Sequence, residues 1–289
     1  VWQSRSLLPV KAGEKGIRQS DAVFHHTQLL PERLLELRDL FSSDIHLASA
    51  AASDRPCDQD GSYMPCFTVG ISFVKGLCAL SGLPMYTNSH QHGHIAAALF
   101  SAGRLDLLSG AFLAFHVSGG TTQAVFCSPD QTKVFSCVPL LSSSDLKAGQ
   151  AVDRVGVMLG LPFPAGKALD ALSLESECRF SPKLSVKNGS PSLSGIQNQC
   201  EKMWKDGALP CDIARFCIDS IAYALCAMTE SLRDRYPDLP ILYSGGVISN
   251  TIIRKRLSDY PDTVFASQEL SGDNAVGTAV LAALKDAML

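Results

Sequence analysis

The 289-residue chain carries 25 basic and 28 acidic residues, a net charge of −3, and is 46% hydrophobic, 7% aromatic and 18% charged. Such a composition suits a folded chain of two lobes and excludes collagenous, coiled-coil and disordered ones. The balanced charge excludes a global basic field that would hold nucleic acid by counterion release alone. The longest apolar runs, such as Gly110 to Phe115, fall far short of the roughly 20 residues of a membrane span, so no integral membrane protein is expected. Nothing like a signal peptide opens the chain, and ten scattered cysteines without a C-x-x-C pair read as a reduced, cytoplasmic protein. The start at Val1 in place of Met is expected to mean that an upstream segment is missing.

Leu34, Leu35, Leu37, Leu40 and Phe41 recur at helical spacing and predict a helix from Pro31, ended by Ser42-Ser43-Asp44. Ile45 to Ala51 reads as a short buried strand, and Asp54 through Ser62 as a polar loop. Phe67, Ile71, Val74, Leu77 and Leu80 form the next helical stripe, closed by Ser81-Gly82. A strand over Pro84 to Thr87 and a helix from about Ser89 complete an alternating βαβα pattern. Ala111 to Val117, Thr122 to Ser128 and Lys133 to Val138 then read as an antiparallel meander, with Pro139 stopping the last strand. Helices follow over Asp145 to Gly160 and Asp212 to about Arg235. A strand over Leu239 to Tyr243, a helix from Ser249 or Asn250, and a last helix over Asn274 to Leu289 close the chain. The domain organisation expected is a first lobe over 1–108, a second over 109–272, and a C-terminal helix over 273–289 that returns to the first.

Ser89-His90-Gln91-His92-Gly93-His94 opens a helix directly after a strand. His90 and His94 are four apart, so both imidazoles leave one helical face and can converge on a metal. A cluster of surface histidines would show the same spacing, and imidazole suits iron and zinc alike. His92 points elsewhere and is expected to be solvated or to sit behind the ligands. No glutamate follows the first histidine, as the H-E-x-x-H hydrolases require.

Val117-Ser118-Gly119-Gly120-Thr121 joins two strands, and Ser244-Gly245-Gly246-Val247 repeats the combination at a strand-to-helix junction. Backbone amides freed of side-chain bulk can approach a phosphate closely, and a helix N-terminus adds a favourable dipole. An ordinary glycine-rich hairpin is the plainer reading of either turn alone; two such elements favour a nucleotide clamp. Asp153 and Asp170 stand beside small or proline-rich segments, where carboxylates can accept hydrogen bonds from ribose hydroxyls. Asp273, in Gly272-Asp273-Asn274-Ala275, reads either as the N-cap of the last helix or as the oxygen ligand completing a two-histidine, one-carboxylate set.

Taken in order, H-x-x-x-H, V-S-G-G, G-x-A-x-D with L-G-L-P-x-P, P-S-L-S-G, S-G-G-V-x-x-N and G-D-N-A resemble the TsaD-type family of tRNA threonylcarbamoyladenosine transferases, in a shorter bacterial branch. The resemblance covers about residues 60 to 285. It implies an actin-like ATPase fold of the sugar-kinase and heat-shock-chaperone type, two-lobed, with metal and nucleotide in an interlobe cleft. Carried over by motif, His90, His94 and Asp273 would hold one transition metal, usually iron, with His116 as a fourth ligand. Val117, Ser118, Gly119, Gly120, Asp153, Gly166, Asp170 and Asn250 would line the pocket for ATP or an acyl-adenylate.

Four departures mark the chain: no N-terminal Asp-Thr-Ser phosphate loop, His92 for the Glu of H-x-E-G-H, Thr121 for the His or Asn that commonly follows V-S-G-G, and Gln197 where S-G-L-K has Lys. The activity implied is metal-assisted transfer of a threonylcarbamoyl group from its adenylate to a tRNA adenosine. Two other readings stand beside it: a non-catalytic nucleotide-binding paralogue that scaffolds partner proteins, and the metalloprotease of the family's historical label. The expected partners are adenine nucleotide and subunits of the tRNA-modification pathway. With only Lys11/Lys15/Arg18 and Arg254/Lys255/Arg256 as basic clusters, tRNA binding by the chain alone is expected to be weak.

Overall fold

The computed structural model describes residues 2–6, 8, 17–39 and 46–288. They form two units, one from 1–100, 130–134 and 273–289, the other from 101–129 and 135–272.

The first unit opens with α1 (Gln19–Arg38). This helix starts twelve residues before the predicted Pro31 and runs through that proline. Its first half is polar and buries only Ala22, so no apolar stripe announced it. Leu40 and Phe41, which the prediction included, lie outside the described residues. The strand predicted from Ile45 is β1 (Ala50–Arg55), shifted into the supposed loop; Ile45 itself is outside the described residues. Next come α2 (Phe67–Ser81), β2 (Met85–Ser89) and α3 (His90–Ser101). Gly82 ends α2 in the left-handed conformation, φ 70°, where glycine has no Cβ to strain. β1 and β2 pair in parallel, from Ala50↔Met85 to Ser53↔Asn88, with α2 as the crossover. α3 buries Ile95, Ala96, Ala97, Ala98 and Leu99.

After a 3₁₀ turn at Leu105–Ser109, the second unit builds β3 (Phe112–Val117), β4 (Thr122–Asp130) and β5 (Val134–Ser142), the expected meander. Pro139 does not stop β5. β5 lies at the edge of the five-stranded sheet, paired only with β4, where a missing N–H is tolerated. α4 (Ala148–Met158) starts three residues later than predicted, because Asp145 is employed elsewhere. Its carboxylate accepts from the Ser192 and Ser194 hydroxyls and from the amides of Leu146, Leu193 and Ser194. Although partial burial pushes its pKa up, these bonds outweigh it and hold the carboxyl well below the usual range.

The helix α5 (Gly166–Leu174), the two-residue strands β6 (Val186–Lys187) and β7 (Ser190–Pro191), and α6 (Ser194–Lys205) follow; none had been predicted. α7 (Pro210–Arg233) carries Pro210 in its first turn and is buried almost all round from Ile213 to Leu225. β8 (Ile241–Ser244) lies parallel to β3 and to β9 (Thr263–Phe265), with a 3₁₀ turn at Gly246–Ser249 and α8 (Thr251–Leu257) between β8 and β9. The core packs the sheet residues Leu113, Phe115, Val117, Ile241 and Tyr243 with α7. The chain then returns to the first unit as α9 (Val276–Asp286). Among the described residues no helix is long and apolar enough to cross a membrane.

A buried ionic knot fastens α7 to α8. Asp219, at 0% exposure, accepts from Arg215 Nε at 3.0 Å, Arg256 Nη2 at 2.9 Å and the Phe180 amide at 3.2 Å. Asp219→Ala leaves two arginines facing a void, an arrangement that costs about 3–5 kcal/mol. Denaturant unfolding should register that loss, and a change below about 1 kcal/mol would show that the knot is not holding the helices.

Candidate functional site

Two backbones meet where the first unit assembles its candidate metal centre. A Cβ built on Gly277 of α9 would lie 1.8 Å from the Gly93 carbonyl oxygen and 2.6 Å from the Ala97 amide, both of α3. Any side chain at 277 would separate the helices. Around this crossing the buried Asn88 amide donates to Thr278 Oγ1 at 3.2 Å and to the Ser89 carbonyl at 2.8 Å, and Ser53 Oγ lies 3.3 Å from Thr278 Oγ1. At the far end of α9, Asp286 accepts from Ser49 Oγ and Tyr86 OH, both at 2.6 Å.

The crossing brings Asp273 to His90 and His94. The two Nε2 atoms are 3.0 Å apart, and Asp273 Oδ1 lies 3.1 Å from His94 Nε2 and 3.4 Å from His90 Nε2. An ion with bonds of about 2.1 Å at angles between about 90° and about 109° needs donor atoms about 3.0 to 3.4 Å apart. The triangle already has that size, and two imidazoles with one carboxylate on one side of an ion is a set that suits iron or zinc. Asp273 is not the cap of α9, which starts at Val276; the Asn274 side chain accepts the Val276 amide instead. With its side chain 83% exposed, Asp273 is held in place by the imidazoles, whose hydrogen bonds, His90 first and then His94, keep its carboxyl well below the usual range. The Phe67 ring, 5.5 Å from that of His90, walls the site.

Of the two readings of His92, the solvated one does not hold. At 2% exposure it is buried, with Nδ1 2.7 Å from Ser89 Oγ and 3.5 Å from Asp58 Oδ1. Asp58, which the sequence did not single out, also accepts from Arg55 at 2.8 Å and Lys133 at 3.1 Å.

In the second unit the two Ser-Gly-Gly elements lie side by side. His116 pairs with Ser244 in the parallel ladder, its Nδ1 3.2 Å from Ser244 Oγ, and that hydroxyl donates to the Phe115 carbonyl at 2.9 Å. The Val117–Gly120 turn is seated on two further glycines. A Cβ on Gly149 would stand 2.5 Å from the Gly119 nitrogen, and one on Gly245, at φ 100°, 2.3 Å from the Val117 carbonyl oxygen. The outer side of the turn is bare: a Cβ on Gly119 or Gly120 meets nothing within 4 Å. Ser118 Oγ already accepts the Gly120 and Thr121 amides, at 3.3 and 3.1 Å.

Asp170 Oδ1 accepts from Asn250 Nδ2 at 2.7 Å and Thr251 Oγ1 at 3.2 Å, while Asn250 Oδ1 caps α8 through the Ile252 and Ile253 amides. This helix start, expected to offer its dipole to a phosphate, is therefore closed by its own cap. Asp153 accepts the Ala165 amide at 2.8 Å, next to Gly166, the first residue of α5. Burial pushes both carboxyls up from the ordinary aspartate value. The departures are absorbed locally: Gln197 bridges Arg154 and Glu201, and the Thr121 carbonyl accepts the Ser118 amide.

A family model described as TsaD, tRNA N6-adenosine threonylcarbamoyltransferase, matches residues 61–280. A Streptococcus suis protein named tRNA N6-adenosine threonylcarbamoyltransferase is 29% identical over 230 residues, 75% of this chain and 66% of the relative. One of the same name from Enterococcus faecalis is 33% identical over 198 residues, 65% and 55% of the two chains. The chain thus spans slightly less than two thirds of the length of the first of these relatives and little over half of the second. Among solved structures, HypF from T. kodakarensis aligns with TM-score 0.62 at 13% identity over 91% of this chain and 43% of that one. Full-length HypF in a phosphate- and nucleotide-bound form gives 0.60 at 14% identity, over 88% and 41%. At such identity the likeness is one of fold, the actin-like ATPase class expected from the motifs.

Gly277→Ala should lower stability by about 2 kcal/mol or more, a fall in melting midpoint of roughly 4–8 °C, and should disperse the metal-ligand triangle. Gly76→Ala, in open space within α2, is the control and should be neutral or slightly stabilising. Calorimetry with metal analysis of both variants checks this, and an equally stable, equally metallated Gly277→Ala would refute the crossing's role.

Proposed function

This chain belongs to the TsaD family of tRNA N6-adenosine threonylcarbamoyltransferases, and we propose that it transfers a threonylcarbamoyl group from threonylcarbamoyl-adenylate to the N6 amine of a tRNA adenosine. The observation that carries the reading is the preformed triangle of His90, His94 and Asp273, which fits one transition ion, iron in the first instance and zinc in the second. When bound, that ion supplies Lewis acidity toward the carbamoyl oxygen. The protein's own residues do the holding and orienting. His90 and His94 present their Nε2 atoms, and the Asp273 carboxylate adds the negative charge that keeps a dication in place. The adenosine amine forms the new C–N bond at the carbamoyl carbon, the bond to the phosphate oxygen breaks, adenylate departs with that electron pair, and the proton shed by the amine passes to solvent. No side-chain nucleophile is needed.

In the second unit the bare turn Val117, Ser118, Gly119 and Gly120 is assigned to the adenylate phosphate. Asp153 and Asp170, with Gly166 and Asn250 beside them, are assigned to the ribose. A hydroxyl can add to either carboxylate without displacing a buried charge, because each already faces neutral donors. All ten cysteines are free thiols, which supports a reducing, cytoplasmic setting. The tRNA grip of the chain alone is weak in this reading. Arg254 lies over the Phe265 ring at 4.7 Å and Arg256 on Asp219, while Lys11 and Lys15 are outside the described residues. Partner subunits would supply the remaining phosphate contacts.

Purified chain should carry about one transition ion, and His90→Ala/His94→Ala should lose it together with transfer to tRNA assayed with the pathway partners. Equal metal content in both proteins by elemental analysis would refute the centre, and full metal without transfer would favour a scaffold.

Gly120→Val should abolish binding of a stable acyl-adenylate analogue in calorimetric titration, since a branched side chain would fill the space left open to the phosphate. Unchanged affinity would remove the turn from the site.

A further inference from the structure

β2 runs into α3 without a linker, so the first turn of that helix must be fixed by side chains. Ser89, at 0% exposure, is its N-cap: Ser89 Oγ accepts the His92 amide at 3.3 Å, and the Gln91 amide donates to the Pro56 carbonyl at 3.0 Å. His92 is the third residue of the helix, where a glutamate or glutamine ordinarily folds back to its cap. Here the imidazole does so, Nδ1 lying 2.7 Å from the cap hydroxyl. Behind it stands Asp58, whose side chain is 8% exposed and which Arg55 and Lys133 tether from two directions. Two positions along a helix is a turn of about 200°, so His92 faces away from His90 while sharing its backbone turn. The next residue, Gly93, is the one against which Gly277 packs.

We propose that His92, clamped between Ser89 and Asp58, is a positioning residue for the metal centre: it locks the first turn of α3 onto the Pro56–Asp58 loop and so fixes where the His90 and His94 imidazoles stand. The proposal rests on the metal reading of the triangle. It assigns the histidine that replaces the usual glutamate a task of the same kind, with the carboxylate contributed by Asp58 instead. Polar groups that orient ligating residues typically alter metal affinity 10- to 100-fold when removed.

The test uses Co(II) as a spectroscopic probe on the full chain, with hydrogen exchange of the metal-free protein beside it. His92→Ala should weaken Co(II) 10- to 100-fold and alter its visible spectrum. In the metal-free protein it should speed exchange of the Gln91 to Gly93 amides at least about tenfold, a loss of about 1.4 kcal/mol of local protection. His92→Gln, which keeps a hydrogen-bonding group at the third helical position, should recover most of both. If His92→Ala does not fold, Asp58→Asn replaces it and should shift both readouts in the same direction. Unchanged affinity and spectrum in a variant whose wild type binds Co(II) would overturn the proposal and leave the metal centre standing. A wild type that takes up no Co(II) would overturn the metal centre instead. The positioning claim would then be decided by exchange alone, and unchanged first-turn protection would overturn it.

Discussion

The candidate metal centre depends above all on the absence of one Cβ atom, at Gly277, which lies against the Gly93 backbone. The ligands come from distant parts of the chain, and only direct contact of the α3 and α9 backbones sets Asp273 at the same height as His90 and His94. Ridges-into-grooves packing with ordinary side chains keeps helix axes about 8–10 Å apart. Had these helices packed so, the Asp273 carboxylate would fall short of the imidazoles. The remaining contacts of α9 are consistent with this tight fit. Thr278 shares hydrogen bonds with Asn88 and Ser53, and Lys285 donates to the Thr87 carbonyl at 3.2 Å. Such bonds are short-ranged and directional, so they hold a crossing that Gly277 permits and would not create one by themselves.

The second unit solves a similar problem in the same way. The Ser118-Gly119 peptide rests against Gly149 at the start of α4, and the Val117 carbonyl against Gly245. Four glycines thus divide into two kinds of duty: Gly149 and Gly245 seat the turn, while Gly119 and Gly120 leave its other side uncovered. Carboxylates, buried in the case of Asp219, do the complementary work of fixing loops. Asp145 gathers the Ser192–Ser194 strand end, Asp219 ties α7 to α8, and Asp170 joins Asn250 to α5. Each is satisfied by several donors, which is what makes an ionised side chain affordable there.

How much of this the sequence discloses follows from the range of each interaction. The His90/His94 spacing and the αβ alternation before it are local patterns with a helical or strand period, and both were legible. The meander was legible too, except at Pro139, because edge position is a property of the sheet and not of the strand. α1 was half missed because its polar first half buries little. α5 and β9 are short segments with little periodicity of their own, whereas α6 does carry an apolar stripe, with Ile196 and Cys200 buried, that the reading passed over. Asp273 entered only through the order of motifs: no local rule links it to a helix most of the chain away, and alone it read as a helix cap. Gly277, on which its placement turns, looks like any small residue in Val276-Gly277-Thr278. His92 was legible only as an alternative, solvated or behind the ligands; that it is buried depends on Ser89 and on Asp58, thirty-four residues upstream, which no local pattern links to it.

Charge shows the same gap between pattern and placement. Arg254-Lys255-Arg256 reads as a small basic patch for a phosphate backbone, and in the fold it is not one. Arg254 is committed to the Phe265 face and Arg256 to a carboxylate with no solvent exposure. A guanidinium that neutralises Asp219 cannot also release a counterion from a tRNA phosphate, because leaving Asp219 would strand a buried anion beside Arg215 alone. Of the three, only Lys255 is exposed and without such a commitment. The basic residues here are therefore part of how α8 is held to α7, and since α8 also carries Asn250, which binds Asp170, they act on the proposed nucleotide site through the fold rather than through the field.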